Sequence, residues 1–240
     1  MHMTEIVTIL IFTIGAGSCI PIGGMIARFE RIQPLWLEEE LRHFVIALGG
    51  GILLGAVSLV LVPEGINEMD NSIFAVPVLL AGGIAFFFIE RFLGLQRRET
   101  PQIMGMLLDF IPESIALGGL LITNPSIAPL LALLIGLQNL PEGFNGYREL
   151  VALNKNHPKK ALKSMWLMVT LGPIAGIAGY FFLADHKAIL GAIMLFASGG
   201  ILYLIFQDIA PQSHLKKHWA PPLGAVTGFS ITVFSQMLLN

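Results

Sequence analysis

Two pairs of polar residues interrupt long apolar runs at matched spacing. Asp109 and Glu113 stand four apart in GMLLDFIPESIALGG (105–119), and Gln138 and Glu142 stand four apart in LLIGLQNLPEGFNGYREL (133–150). On a helix such pairs share one face, about 6 Å apart along the axis. A proline, Pro112 or Pro141, precedes each glutamate. Proline has no N–H to donate, so the carbonyl four residues earlier, that of Leu108 or Leu137, is released beside a polar side chain. Each segment therefore offers side-chain oxygens and a loosened backbone at one level. A cation site within a bilayer is assembled this way, because irregular backbone there must line a cavity or be buried in protein.

Charge sharpens the reading. An ionised carboxylate at the centre of a membrane helix costs about 2.5–3.5 kcal/mol on insertion scales. Asp109, Glu113 and Glu142 fall within roughly a turn and a half of the centres of their runs, at about 1.5 Å per residue. Gathered there they repel one another unless they are partly protonated or hold a cation. The neighbouring runs contain no central Lys or Arg to pair with them, which favours a bound cation. A single buried glutamate can also be a protonated packing residue, but two Pro-Glu strings in adjacent segments weigh against that. Asn139 adjoins Gln138 and points elsewhere on the helix, toward a neighbouring span. Asn145 and Tyr147 are expected at the membrane interface.

The elements that must position these residues follow from composition. The chain has 240 residues, 55% hydrophobic and 12% charged, with a mean hydropathy of +0.76. Soluble domains carry roughly a quarter charged residues, so this chain has lipid for much of its solvent. The net charge of −2 averages loops on two sides of a membrane and says nothing about partners; nucleic acid is not expected as one. The one cysteine, Cys19, excludes an internal disulfide and a cysteine-based zinc site; it reads as a small packing residue. The first residues lack the basic region and cleavage site of a signal peptide, so the first run is expected to be a span.

Apolar runs of about twenty residues fall at 5–27, 43–63, 72–93, 103–123, 127–147, 163–184, 187–209 and 220–239. They predict an all-α integral membrane protein of eight transmembrane helices, a single domain over 1–240. Of the 14 Lys and Arg, all but Lys187 fall in the links after the first, third, fifth and seventh runs: Arg28, Arg31, Arg42, Arg91, Arg97, Arg98, Arg148, Lys155, Lys159, Lys160, Lys163, Lys216 and Lys217. The positive-inside rule then puts those links in the cytoplasm and both termini outside a plasma membrane. Trp36, Trp166 and Trp219 lie near the same boundary, where an indole belongs. His214 and His218 stand four apart beside Lys216 and Lys217, and read as part of a basic interfacial segment rather than a metal contact.

GGGILLGAVSLVLVPEG in the second run resembles SGGILYLIFQDIAPQS in the seventh, with a one-residue slip. Since these two runs cross in opposite directions, runs 1–3 and 6–8 can be inverted copies around runs 4 and 5, as in many secondary transporters. Chance likeness between glycine-rich spans is the alternative. Gly49, Gly50, Gly51, Gly55, Gly82, Gly83, Gly199 and Gly200 are expected to allow close helix packing.

With these strings on the page, the chain resembles the ZIP family of divalent-metal transporters. The family's pattern in spans 4 and 5 is typically H-N-x-P-E-G and H/Q-N/D-x-P-E-G/H, against Asp109-Phe110-Ile111-Pro112-Glu113-Ser114 and Gln138-Asn139-Leu140-Pro141-Glu142-Gly143 here. The likeness extends over essentially the whole chain, runs 2 and 7 included. It implies eight spans, a possible homodimer, and a metal held between spans 4 and 5 by Asp109, Glu113, Gln138 and Glu142. It also implies lesser roles for Asn139, and for Gln207 and Asp208 on the route to the cytoplasm. Glu64, at the outer end of the second run, reads equally as an acid that attracts cations at the entrance or as a solvated helix-end acid. Family members that hold two metals use an asparagine where Phe110 stands and a span 6 glutamate where Gly172 stands, so one metal is expected here. The family's histidine-rich loop between spans 3 and 4 is replaced by GLQRRETPQ.

The expected function is secondary transport of a divalent cation toward the cytosol. The resemblance points to zinc, while an all-oxygen ligand set points to manganese or iron(II). The alternative is a ZIP-like protein that does not transport and binds metal as a sensor or serves a structural role. An enzyme is not expected: the chain has no H-E-x-x-H string, no G-x-S-x-G elbow and no phosphate-binding loop. Beyond metal and membrane lipid, no cofactor is called for.

Overall fold

The protein is described from a computed structural model, which describes residues 2–30, 35–95, 101–153, 157–183, 185–215 and 219–239. Arg31, Arg97, Arg98, Lys155, Lys216, Lys217 and His218 lie outside the described residues, and with them the His214–His218 pairing.

The described elements are all helical. In chain order they are α1 (His2–Phe29), α2 (Leu35–Ala56), α3 (Val62–Glu68), α4 (Ala75–Leu95), α5 (Pro101–Thr123), α6 (Ala128–Leu153), α7 (Pro158–Met168), α8 (Leu171–Leu183), α9 (Lys187–Leu204), α10 (Ala210–Ser213) and α11 (Leu223–Leu239). Short π-helical turns, Val57–Leu61 and Ile205–Ile209, join α2 to α3 and α9 to α10. Six stretches are long and apolar enough to cross a membrane: Met3–Phe29, Leu37–Glu68, Ala75–Phe92, Ile103–Thr123, Pro158–Leu183 and Lys187–Ser213. The protein is thus a helical, membrane-embedded one. The other two sequence runs are also helical. α6 has the length, but its polar string lowers its hydropathy, and α11 is a shorter apolar helix.

Prolines shape the long helices in three ways. Pro21, Pro112 and Pro141 sit inside unbroken α-helix. Pro63 and Pro211 each follow a π-helical turn by two residues, where the helix widens to accommodate a ring that would clash with the carbonyl one turn back. Pro173 follows an interruption at Val169–Thr170. The run expected over 163–184 is one membrane-crossing stretch, Pro158–Leu183, divided into α7 and α8 where Pro173 has no N–H for the Val169 carbonyl and its ring crowds that carbonyl.

Four helix pairs build the bundle: α1 with α6, α2 with α11, α4 with α9, and α5 with α8. Glycine sets how closely they approach. A Cβ at Gly82 would strike the carbonyl of Phe196, and one at Gly199 the carbonyl of Leu79, so α4 and α9 meet backbone to backbone. Gly51, Gly224 and Gly228 do the same for α2 and α11, Gly118 and Gly179 for α5 and α8, and Gly23 and Gly143 for α1 and α6. Small residues drive helix association in lipid because no hydrophobic gain is available between apolar surfaces there. The outer faces carry exposed Ile84, Phe88 and Phe92 on α4, Phe181 and Phe182 on α8, and Phe234 and Met237 on α11. Trp166 and Trp219 are exposed as well, whereas the side chain of Trp36 lies outside the described residues.

Candidate metal site

α5 and α6 run antiparallel through the centre of the bundle. Their polar faces meet, because the four-residue spacing puts Asp109 and Glu113 on one stripe of α5, and Gln138 and Glu142 on one stripe of α6. All four are buried, with 2%, 0%, 0% and 7% of their surface exposed. Gln138 Nε2 donates to Glu113 Oε2 at 2.5 Å. Asp109 pairs side chain to side chain with Glu142, and is near enough to Glu113 for the two charges to interact. The four side chains thus meet across α5 and α6 in two pairs, Glu113 with Gln138 and Asp109 with Glu142.

What they lack is donors. Asp109 Oδ1, Glu113 Oε1, Gln138 Oε1 and Glu142 Oε2 are each buried without a hydrogen-bond partner. Such orphans are rare in folded proteins, and each leaves a desolvation cost of about 1–3 kcal/mol, more when charged. No ion pair among the described residues reaches them; Arg148 pairs with Glu30 and Glu38 elsewhere, at the ends of α1, α2 and α6. The site is nevertheless no rigid cage. Among the described residues no three His, Cys, Asp or Glu side chains already converge as a metal-holding group.

No family model matches the chain, and no curated protein matches it in sequence. What the site can do is accordingly read from its own atoms.

The secondary candidates separate. Asn139 faces α1, as expected, and its Nδ2 donates to the Ala16 carbonyl at 3.1 Å; its Oδ1 is a further buried orphan. Gln207 is exposed while its neighbour Asp208 is half-buried. Asp208 shares a small cavity with Asp109 and Glu142, walled by Met106, Leu53 and Leu204. Glu64, half-buried at the end of α2–α3, accepts a hydrogen bond from Asn124 Nδ2 at 3.0 Å.

Two residues expected at the membrane interface are buried within the protein. Tyr147 is 6% exposed and packs in the core. Asn145 is 4% exposed, lines a second small cavity with Glu142, and leaves its Oδ1 without a partner. The signal for Asn145 was present: 138, 142 and 145 are spaced i, i+4, i+7, a single helical stripe. Ser114, 1% exposed with an unpartnered Oγ, gave no such signal.

Phe110 bounds the polar cluster on one flank. Its side chain is wholly buried, and a Cβ at Gly172 would stand 2.7 Å from the ring's Cζ. The ring thus takes the room that a side chain at position 172 would need, and Phe110 and Gly172 leave this flank apolar.

The surroundings are lopsided. Both small cavities touching Glu142 lie toward the Arg148 end of α6 and the N-terminal end of α5, where Gly105, Met106 and Asn145 line them. In the other direction Leu117, Leu120, Leu131 and Leu134 are fully buried.

Proposed function

We propose that the chain is a secondary transporter that moves a divalent cation across the membrane toward the cytosol, and that it is a divergent relative of the ZIP transporters. The carrying observation is the set of buried oxygens without donors on Asp109, Glu113, Gln138 and Glu142. A cation accepts all of them at once, which no hydrogen-bond donor in the described chain does. Metal is the substrate here, one ion at a time, with Phe110 and Gly172 closing off a second position.

The packing supports eight spans arranged as an inverted repeat. Exchanging run 1 with 6, 2 with 7, 3 with 8 and 4 with 5 turns the α4–α9 pair into the α11–α2 pair. It likewise turns the α1–α6 pair into the α8–α5 pair. The π-helical turns ahead of Pro63 and Pro211 fall at corresponding places. Such symmetry lets one half rock against the other around a central site. With the arginine-bearing ends in the cytoplasm, the cavities beside Glu142 open inward and the leucine-packed side is the outer gate. The metal would pass from the four ligands by way of Asn145 and Asp208. On this reading the protein lies in a plasma membrane with both termini outside, and a homodimer is an expectation from the resemblance.

Oxygen-only ligands favour manganese or iron(II), with zinc still accommodated by carboxylates. Uptake of manganese, iron(II), zinc, cadmium and cobalt into liposomes carrying the purified protein tests the reading. Uptake above empty liposomes that vanishes in Glu113→Gln/Glu142→Gln is expected. The absence of a preformed three-ligand group among the described residues favours a second reading, a ZIP-like protein that does not transport and senses metal or serves a structural role. Binding without uptake of any of the five ions would select it.

A further inference from the structure

Glu68 is the last residue of α3 and is 8% exposed. α3 packs close on the start of α9 because Gly191 has no side chain: a Cβ there would stand 3.0 Å from that of Glu68. This approach buries Glu68, yet no hydrogen bond or ion pair engages its carboxylate among the described residues. It borders a pocket of about 260 Å³ at the end of the bundle opposite the arginines, lined also by Asn67, Asp70, Thr123, Asn124 and Lys187. Thr123 Oγ1 is a second buried atom without a partner.

The pocket's charge is negative, with Glu68 and Asp70 against Lys187, and Glu64 lies one helical turn from Glu68. Lys187 lines the pocket but forms no ion pair with Glu68. An ammonium is therefore at hand and the carboxylate is still left open. The donor atoms are all oxygens, from carboxylates, amides and a hydroxyl, a set that suits hard divalent cations keeping part of their water.

We propose that this pocket is a second, outer site for a partly hydrated divalent cation, with Glu68 its principal ligand and Asp70, Asn67 and Thr123 completing the oxygen shell. The inference deepens the transport reading and rests on it only for the direction of entry. On that reading the outer site is the first station of an incoming ion, separated from the midplane by the buried leucines of α5 and α6.

The test uses the full chain in lipid nanodiscs with Mn²⁺ as the probe, its binding followed by electron paramagnetic resonance. In Glu113→Gln/Glu142→Gln, where the midplane ligands are disabled, one bound Mn²⁺ is expected to persist. Adding Glu68→Gln should weaken it at least tenfold. Adding Lys187→Gln instead should tighten it, a gain that misfolding cannot produce. Displacement of Mn²⁺ by Ca²⁺ in the same background, also lost with Glu68→Gln, would support the site as one that keeps a resident hard cation. No Mn²⁺ or Ca²⁺ bound in the midplane-disabled protein, or binding indifferent to both Glu68 and Lys187, would overturn the proposal. Because binding is read without uptake, failure of transport would leave this result standing, and failure of this site would leave transport standing.

Discussion

Carboxylates occur in two settings in this bundle, and the chain treats them differently. At one end Arg148 pairs with Glu30, lies 3.2 Å from Glu38 and stacks 5.0 Å above the Phe144 ring. Next to it, Glu149 Oε2 accepts from the Ile103 N–H at the start of α5. One cation and one capping acid thereby fasten α6 to its neighbours. Two turns farther into α6, Glu142 has Asp109 and Glu113 for company and no cation at all. Where acids serve the architecture, a guanidinium is supplied; where they stand unpaired, the oxygens remain for something the chain does not carry. The contrast locates function better than burial alone would, since buried polar groups are ordinarily satisfied.

The largest effect should come from emptying the unpaired cluster. Glu113→Gln/Glu142→Gln is expected to abolish metal uptake while the protein keeps or gains thermal stability, because two costly buried acids become neutral amides. A large loss of stability, measured by thermal unfolding in detergent, would mean that the acids are structural and would erase the distinction between the two regions.

Next in size are changes to the packing that brings α6 against α1. A Cβ at Gly143 would run into the carbonyl of Ile20, so Gly143→Ala should cost about 1–3 kcal/mol by overpacking. Gly15→Ala, with nothing within 4 Å of its new carbon, should leave stability and uptake unchanged. The pair separates glycines that set helix distance from glycines that do not.

A smaller effect is expected at the paired end. Arg148→Gln should lower stability by about 1 kcal/mol, the scale of partly exposed ion pairs, with ion preference unaltered. A double-mutant cycle with Glu30→Gln should recover most of that loss as coupling. If Arg148→Gln changed which ions are carried, the two regions would not be separable.

Smallest in overall rate, though sharpest for chemistry, is Asp109→His. An imidazole in place of one carboxylate softens the ligand set, so zinc uptake relative to manganese should rise on the order of tenfold, equivalent to about 1.4 kcal/mol. Competition uptake with mixed ions measures the ratio.

Much of this was legible in the chain because a membrane leaves few options. Apolar run lengths give the helices, and the four-residue spacing of the polar pairs puts Asp109 and Glu113 on the stripe of α5 that meets Gln138 and Glu142 of α6. Asn139 turning toward α1 follows from helix geometry alone. Other features depend on which helices touch. Asn145 and Tyr147 look interfacial by position, yet α6 is enclosed by its neighbours through its last turns and buries them. Gln207 and Asp208, adjacent in sequence, point different ways as any helical neighbours do, and which of them turns inward is set by the helices around them. The break at Val169–Thr170 arises from Pro173, whose effect on a helix is a kink in one context and a stop in another. The fit of Phe110 to Gly172, 62 positions apart, is a fact of packing that neither residue announces by itself.

The central claim is that the unpaired oxygens between α5 and α6 are metal ligands. Its most direct test is Mn²⁺ binding to protein carrying Glu68→Gln, which leaves only the midplane site, with the ligand shell read by electron paramagnetic resonance and X-ray absorption. One ion in an oxygen-only shell, lost when Glu113 and Glu142 become glutamine, is the predicted result. No bound ion, or one that stays when both glutamates are gone, would contradict the account.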